Sequence, residues 1–162
     1  MADDVERFFH INVNCADFKA SLAFYQAIGF EVVNTFEETP RRTFGEIGLG
    51  PVLGLPDDCD ARAVLMQLPG DGGGAKLDLI EWSSPKVAPE RRANLAQPGV
   101  GRICLKTKDA DAVHARLTAA GYRPYTAPTR LRMGGSQIKV FCCDDPDGVV
   151  IEFMEFLGRD KG

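Results

Sequence analysis

The chain has no apolar run approaching the roughly 18–20 residues needed to cross a bilayer. Its first residues, Met1-Ala2-Asp3-Asp4-Val5-Glu6-Arg7, are acidic and lack the apolar stretch of a secretory signal. It also lacks a basic excess: 19 Lys and Arg stand against 23 Asp and Glu, for a net charge of −4. That balance argues against nucleic acid as a partner. The five cysteines (Cys15, Cys59, Cys104, Cys142, Cys143) are odd in number and show no CxxC or other metal-ligand spacing. They read as reduced thiols in a cytoplasmic protein. Gly70-Asp71-Gly72-Gly73-Gly74 is followed by no GK[ST], so it reads as a turn and not a phosphate loop. What the chain does have is an apolar fraction of 44% with ten Phe, ample for a packed interior, in 162 residues.

An internal repeat organises it. Residues 8–30, FFHINVNCADFKASLAFYQAIGF, match 100–122, VGRICLKTKDADAVHARLTAAGY, at an offset of 92 without gaps. Ile11 falls on Ile103, Asp17 on Asp109, Gly29 on Gly121, Phe30 on Tyr122, and His10 on Arg102. In each copy a period-2 segment predicts a strand, an Asp stands at the helix N-cap, and a Gly stands at C′. Ser21, Leu22, Tyr25 and Ile28 form the buried stripe of the first helix; Val113, Leu117 and Ala120 form that of the second. The helix covers the strand face of Phe9 and Ile11, so His10 and Arg102 point the other way, and Phe8, Asn12 and Cys104 share their parity. Each half ends on an Ile-Glu-aromatic triplet, LDLIEW at 77–82 and GVVIEF at 148–153, the second entered through the tight turn Asp145-Pro146-Asp147-Gly148. His10 to Glu81 spans 71 residues and Arg102 to Glu152 spans 50, which assigns about 21 extra residues to a loop region at 37–75. Domain boundaries follow as 1–82, a linker at 83–99 around Pro85, Pro89 and Pro98, and 100–162.

This pattern resembles the vicinal oxygen chelate superfamily, which includes glyoxalase I, extradiol dioxygenases and bleomycin-resistance proteins. The resemblance rests on the His10 strand, the AFYQAIGFEV helix exit and the DPDGVVIEF ending, and covers roughly 7–156. It implies an α+β fold of two tandem βαβββ modules forming a curved mixed sheet around a shared cavity, and a homodimer. It further implies a small-molecule substrate or ligand and a divalent metal (Zn, Ni, Mg, Mn or Fe) acting as a Lewis acid. Carried over residue by residue, the metal ligands are His10, Glu81 and Glu152, with Glu152 or Glu81 as proton shuttle. Arg102, Asn12, Phe8 and Cys104 would contact substrate.

The fourth ligand position holds Arg102, which has no free lone pair and opposes a cation by about 4 kcal/mol per pair of unit charges at ~4 Å and an effective dielectric of ~20. Three readings follow. His10, Glu81 and Glu152 hold a metal for a lyase or isomerase of the glyoxalase type. Alternatively, Arg102 pairs with a carboxylate in a metal-free ligand-binding protein of the bleomycin-resistance kind. In the third, a metal-free enzyme uses Arg102 to polarise substrate while a Glu removes a proton. His114 falls on the second helix and reads as structural, and Trp82, Phe141, Phe153 and Phe156 read as core aromatics. Arg130-Leu131-Arg132-Met133-Gly134-Gly135 reads as a loop near the mouth of the second module.

Overall fold

In the computed structural model, residues 5–37, 39–72, 74–88 and 95–159 are described. Pro89, Arg91 and Arg92 of the expected linker, Gly73 of the glycine turn and the first four residues lie outside them. The chain divides into two compact units, 1–89 and 90–162.

In the first unit, β1 (His10–Asn14), α1 (Phe18–Ala27), β2 (Glu31–Asn34), β3 (Asp60–Gln67) and β4 (Lys76–Ser84) build a four-stranded sheet of order β1-β4-β3-β2. The pair β1/β4 is parallel, and the other two pairs are antiparallel. A short helix, α2 (Leu49–Leu53), lies in the β2–β3 connection. The second unit repeats the plan with β5 (Ile103–Thr107), α3 (Ala110–Ala119), β6 (Thr129–Met133), β7 (Ser136–Asp144) and β8 (Val150–Arg159), in the order β5-β8-β7-β6. Each unit is therefore a βαβββ module, and the fold is α+β.

The local signals read from the repeat are the ones that shape it. Asp17 caps α1 by accepting from the amides of Lys19 and Ala20, at 3.0 and 3.1 Å. Asp109 caps α3 by accepting from Ala112 N at 2.9 Å. Gly29 and Gly121, just past the helix ends, take φ of +104° and +89°, where a side chain would be strained. Between cap and stop, Phe18, Ser21, Phe24 and Tyr25 are buried on α1. They lie on the side of the sheet that carries Leu77 and Leu79 of β4 and Val64 and Met66 of β3, all buried. Burying each such side chain contributes about 1.5–3 kcal/mol, and this face is the main apolar layer of the unit. In the second unit Val113 and Leu117 are buried on α3, and Phe141 and Phe153 stack with centroids 4.8 Å apart. His114 sets its ring edge-on against Phe141 at 5.3 Å, a packing role. Ala120 is exposed at the helix end and does not extend the stripe.

Two expectations about loops change. β3 runs through the middle of the 37–75 region, so the long connection is 35–59 and the β3–β4 turn is 68–75. Arg130–Met133 is not loop but strand β6, paired with β7 through the two-residue turn Gly134-Gly135. The alternation Thr-Arg-Leu-Arg-Met carries that strand, and all five residues are exposed.

Candidate functional site

Each sheet has one face covered by its helix and one face that the helix leaves open. On β1 the open face carries His10, Asn12 and Asn14. In the parallel register with β4, Asn12 stands beside Asp78 and Asn14 beside Ile80. Asn12 Nδ2 donates to Asp78 Oδ2 at 3.0 Å, and Trp82 Nε1 donates to Asn14 Oδ1 at 3.0 Å. So Asp78, Ile80 and Trp82 share the face of His10, and Phe8, 65% exposed, precedes the strand on the same parity.

Asp78 is 9% exposed, and burial holds its carboxyl above the ordinary carboxylate range. The charge of His10 and the hydrogen bond from Asn12 pull the other way. Asp78 Oδ1 and His10 Nδ1 are both buried and make no hydrogen bond among the described residues. Buried polar atoms are partnered in roughly nine cases of ten, so these two atoms are exceptions, as is Asp60 Oδ1 at the start of β3.

Glu81 is not part of this group. It lies three residues beyond Asp78, hence on the opposite face, where its cross-strand partner is Arg62. The Arg62 guanidinium sits over the Phe18 ring of α1, 4.1 Å from its centroid, which fixes that face as the helix side. The second unit explains why. There Glu152 stands beside Cys104 just as Asp78 stands beside Asn12. Three residues on, Glu155 faces the helix, accepting from Ala110 N of α3 at 2.9 Å and lying 3.6 Å from Lys139. Asp78 therefore matches Glu152, and Glu81 matches Glu155. The sequence holds the signal, because Leu-Asp-Leu-Ile-Glu (77–81) and Ile-Glu-Phe-Met-Glu (151–155) each carry acids three apart. The repeated Ile-Glu-aromatic triplet instead aligns Glu81 with Glu152, one face away.

On the open face of the second sheet, Arg102 Nε donates to Glu152 Oε2 at 3.0 Å. Cys104 on β5 and Cys142 on β7 flank Glu152 from either side. Burial, then the hydrogen bond to Glu152, pushes the Cys104 thiol up to about 11. Burial and the Glu152 charge also raise Cys142. Burial thus disfavours the thiolate, the nucleophilic form, at both cysteines. The Arg102 proton is held more tightly than usual, first by the hydrogen bond to Glu152 and then by its charge. A guanidinium offers five N–H donors, so pairing with one carboxylate leaves donors for a ligand oxygen.

These side chains do not fit the divalent ion that the resemblance implies. His10 and Asp78 bring two donors to the first sheet, Glu81 faces away, and Glu152 is held by a cation. Among the described residues no three His, Cys, Asp or Glu side chains gather closely enough to hold one ion. Among the described residues, no helix is long and apolar enough to cross a membrane.

Comparison with known proteins agrees with this architecture. A glyoxalase family protein from Bacillus cereus superposes with a TM-score of 0.75 at 21% identity, covering 98% of this chain and 99% of that one. The trypanothione-dependent glyoxalase I of Leishmania major gives 0.60 at 15% identity, over 93% and 87% of the two chains. A V278E mutant of glyoxalase I from Zea mays gives 0.64 at 11%, over 91% of this chain but 44% of the maize chain. At such identities the likeness concerns the fold. No curated protein matches the sequence. The sequence model of the Glyoxalase/Bleomycin resistance protein/Dioxygenase superfamily matches residues 7–153, nearly the full length, and the chain belongs to that superfamily.

Proposed function

We propose that this protein captures a small oxygen-rich ligand on the open face of its second sheet without a resident divalent ion. Arg102 is the donor that receives the ligand's oxygen atoms. The observation that carries the reading is the Arg102–Glu152 pair at 3.0 Å, which puts a fixed cation where the superfamily pattern places a metal ligand and engages a carboxylate that a metal would need. Binding of this kind, of which bleomycin resistance in the superfamily's description is one form, needs polar anchors and no activated nucleophile. The thiols flanking Glu152, whose thiolate forms burial disfavours, suit that role.

A second reading has its own support. The unpartnered His10 Nδ1 and Asp78 Oδ1 are two donor atoms of the type a divalent ion takes. Under it, a lyase or isomerase of the glyoxalase type would hold the ion at His10 and Asp78 of the first sheet, with further positions filled by water or substrate.

Elemental analysis after incubation with excess Zn, Ni or Mn separates the two. The first reading expects far less than one ion per chain. It also expects oxalate, a compact pair of adjacent carboxylates, to raise the unfolding temperature of the protein but not of Arg102→Met. A stoichiometric ion that Asp78→Asn abolishes would overturn it in favour of the second.

A further inference from the structure

The open face of the second sheet changes character along its length. At one end stands the Arg102–Glu152 pair. Alternation along β8 puts Met154 and Phe156 on the same face, since Glu155 between them turns to the helix. Beside Met154 the register sets Lys106 of β5 and Val140 of β7. Beside Phe156 it sets Ile138 of β7, and next to that Leu131 of β6. The Lys106 ammonium lies 5.6 Å from the centre of the Phe156 ring, which fixes both side chains on this face. Glu152 and Phe156 are four residues apart, so the apolar stretch reaches about 13 Å from the ion pair.

Solvent reaches this stretch. Phe156 is 52% exposed and Leu131 49%, while Met154 and Val140 are half-buried. A single exposed Leu or Phe needs no explanation, but these are joined into one patch through Ile138 by cross-strand pairing. A contiguous apolar patch with a polar rim is the mark of a binding surface.

The rim shows what kind of molecule would cover it. Arg102, Cys104 and Lys106 follow one another at two-residue steps along the edge of this face, about 7 Å apart, and all three are exposed. Lys106 forms no ion pair among the described residues. Over these rows two cations therefore stand against the one carboxylate of Glu152, and the excess favours a single negative charge above Cys104.

We infer that the ligand of the second sheet is an amphiphilic carboxylate, its head held between Arg102 and Lys106 and its tail lying over Met154, Phe156 and Leu131. This deepens the ligand-capture reading above and rests on it. With zigzag bonds of ~1.5 Å, a saturated chain of about ten carbons spans the 13 Å of the stretch.

The chain carries its own reporters. Of its four methionines, Met154 and Met133 (two residues beyond Leu131, on the same face) border the tail site, whereas Met66 is fully buried in the first unit. A sample labelled with ¹³C at the methionine methyls is titrated in EDTA with sub-micellar decanoate, octanoate and hexanoate. Acetate (head, no tail) and 1-octanol (tail, no charge) are the controls. Decanoate is expected to move the Met133 and Met154 signals saturably and to leave Met66 in place. Each methylene covered on one side should contribute about twofold, so hexanoate should bind about tenfold more weakly than decanoate, and acetate should move neither signal. Lys106→Gln should weaken octanoate about threefold and leave 1-octanol unchanged. Phe156→Ser, at an exposed position, should weaken both. Unmoved Met133 and Met154 signals, or 1-octanol equal to octanoate, overturn the inference. So do signals that shift with protein concentration alone, which would make the patch a contact between copies of the chain. If oxalate still stabilises the protein in those cases, the tail site alone has failed. If neither oxalate nor decanoate binds, the ligand-capture reading has failed with it.

Discussion

Removing the charge of Arg102 tests the feature on which the functional reading turns. Arg102→Met keeps the length of the side chain but leaves the Glu152 carboxylate, whose side chain is only 12% exposed, facing two thiols with no cation. At ~4 Å between charge centres the gross attraction is about 1 kcal/mol in bulk water and about 4 kcal/mol at an effective dielectric of ~20. Because the Arg102 side chain is 48% exposed, solvent screening keeps the pair near the lower figure. Ordering a long side chain costs part of what is left, so the expected coupling is about 1 kcal/mol, the top of the range for exposed pairs. The assay is a double-mutant cycle of Arg102→Met, Glu152→Gln and the double variant, followed by urea unfolding. The double variant should be less destabilised than the sum of the singles by that coupling. In 1 M salt, where the screening length falls to about 3 Å, the coupling should drop by half or more. A coupling under about 0.3 kcal/mol at low salt, or one that salt leaves unchanged, refutes the reasoning, since Glu152 would then be uncommitted and free to bind metal.

Cys104 should react slowly despite its exposed position: with its thiol pushed up to about 11 against an ordinary 9.0, the thiolate fraction at pH 8 falls about 100-fold. The higher intrinsic nucleophilicity of such a thiolate recovers about tenfold, so iodoacetamide labelling followed by peptide mass analysis should be about tenfold slower than for an ordinary thiol, and Glu152→Gln should speed it. The folded chain holds this proton more tightly than the unfolded one, so the associated stability is full below pH 9.0 and lost as pH rises through about 11, a loss that Cys104→Ser should abolish in unfolding measured across that window. Phe44 packs on Ala61, Ala63 and Ile80 with its ring edge-on to the Trp82 indole. Gly45→Ala beside it would drive a Cβ into the carbonyl oxygen of Asp57, so a loss of about 1–3 kcal/mol and a red-shifted Trp82 emission are expected. An unchanged emission would mean that Phe44 is not held by this close approach. Glu155→Leu removes the acceptor of Ala110 N and a partner of Lys139, and should cost about 1–3 kcal/mol in urea unfolding, with amide exchange rising first at the start of α3.

Most of the secondary structure was legible because its signals are local. Asp17 and Asp109 cap, Gly29 and Gly121 stop, and the alternation around His10 and Arg102 separates two faces within a few residues. The 37–75 region was harder, because its Gly, Pro and Asp content hides β3, whose apolar run becomes a strand only by pairing with β4. Trp82 and Phe156, read as core, lie half-buried or exposed, since aromatic type says nothing about which strand face a helix will cover.

The division between sequence and structure is clearest at the two carboxylates of β4. Sequence alone determined that the chain is a duplicated βαβββ protein, that His10 and Arg102 hold equivalent positions in the two copies, and that Arg102 departs from the metal-ligand pattern of the resemblance. Each of these follows from residue type and spacing along one stretch of chain. Which acid joins His10 was decided by the register between β1 and β4, strands more than sixty residues apart. In a strand, a shift by an odd number of residues turns every side chain to the other face, so an alignment off by three set Glu81 where Asp78 belongs. The same long-range packing brought Phe44 onto Ala61 and Ala63 and set its ring against Trp82.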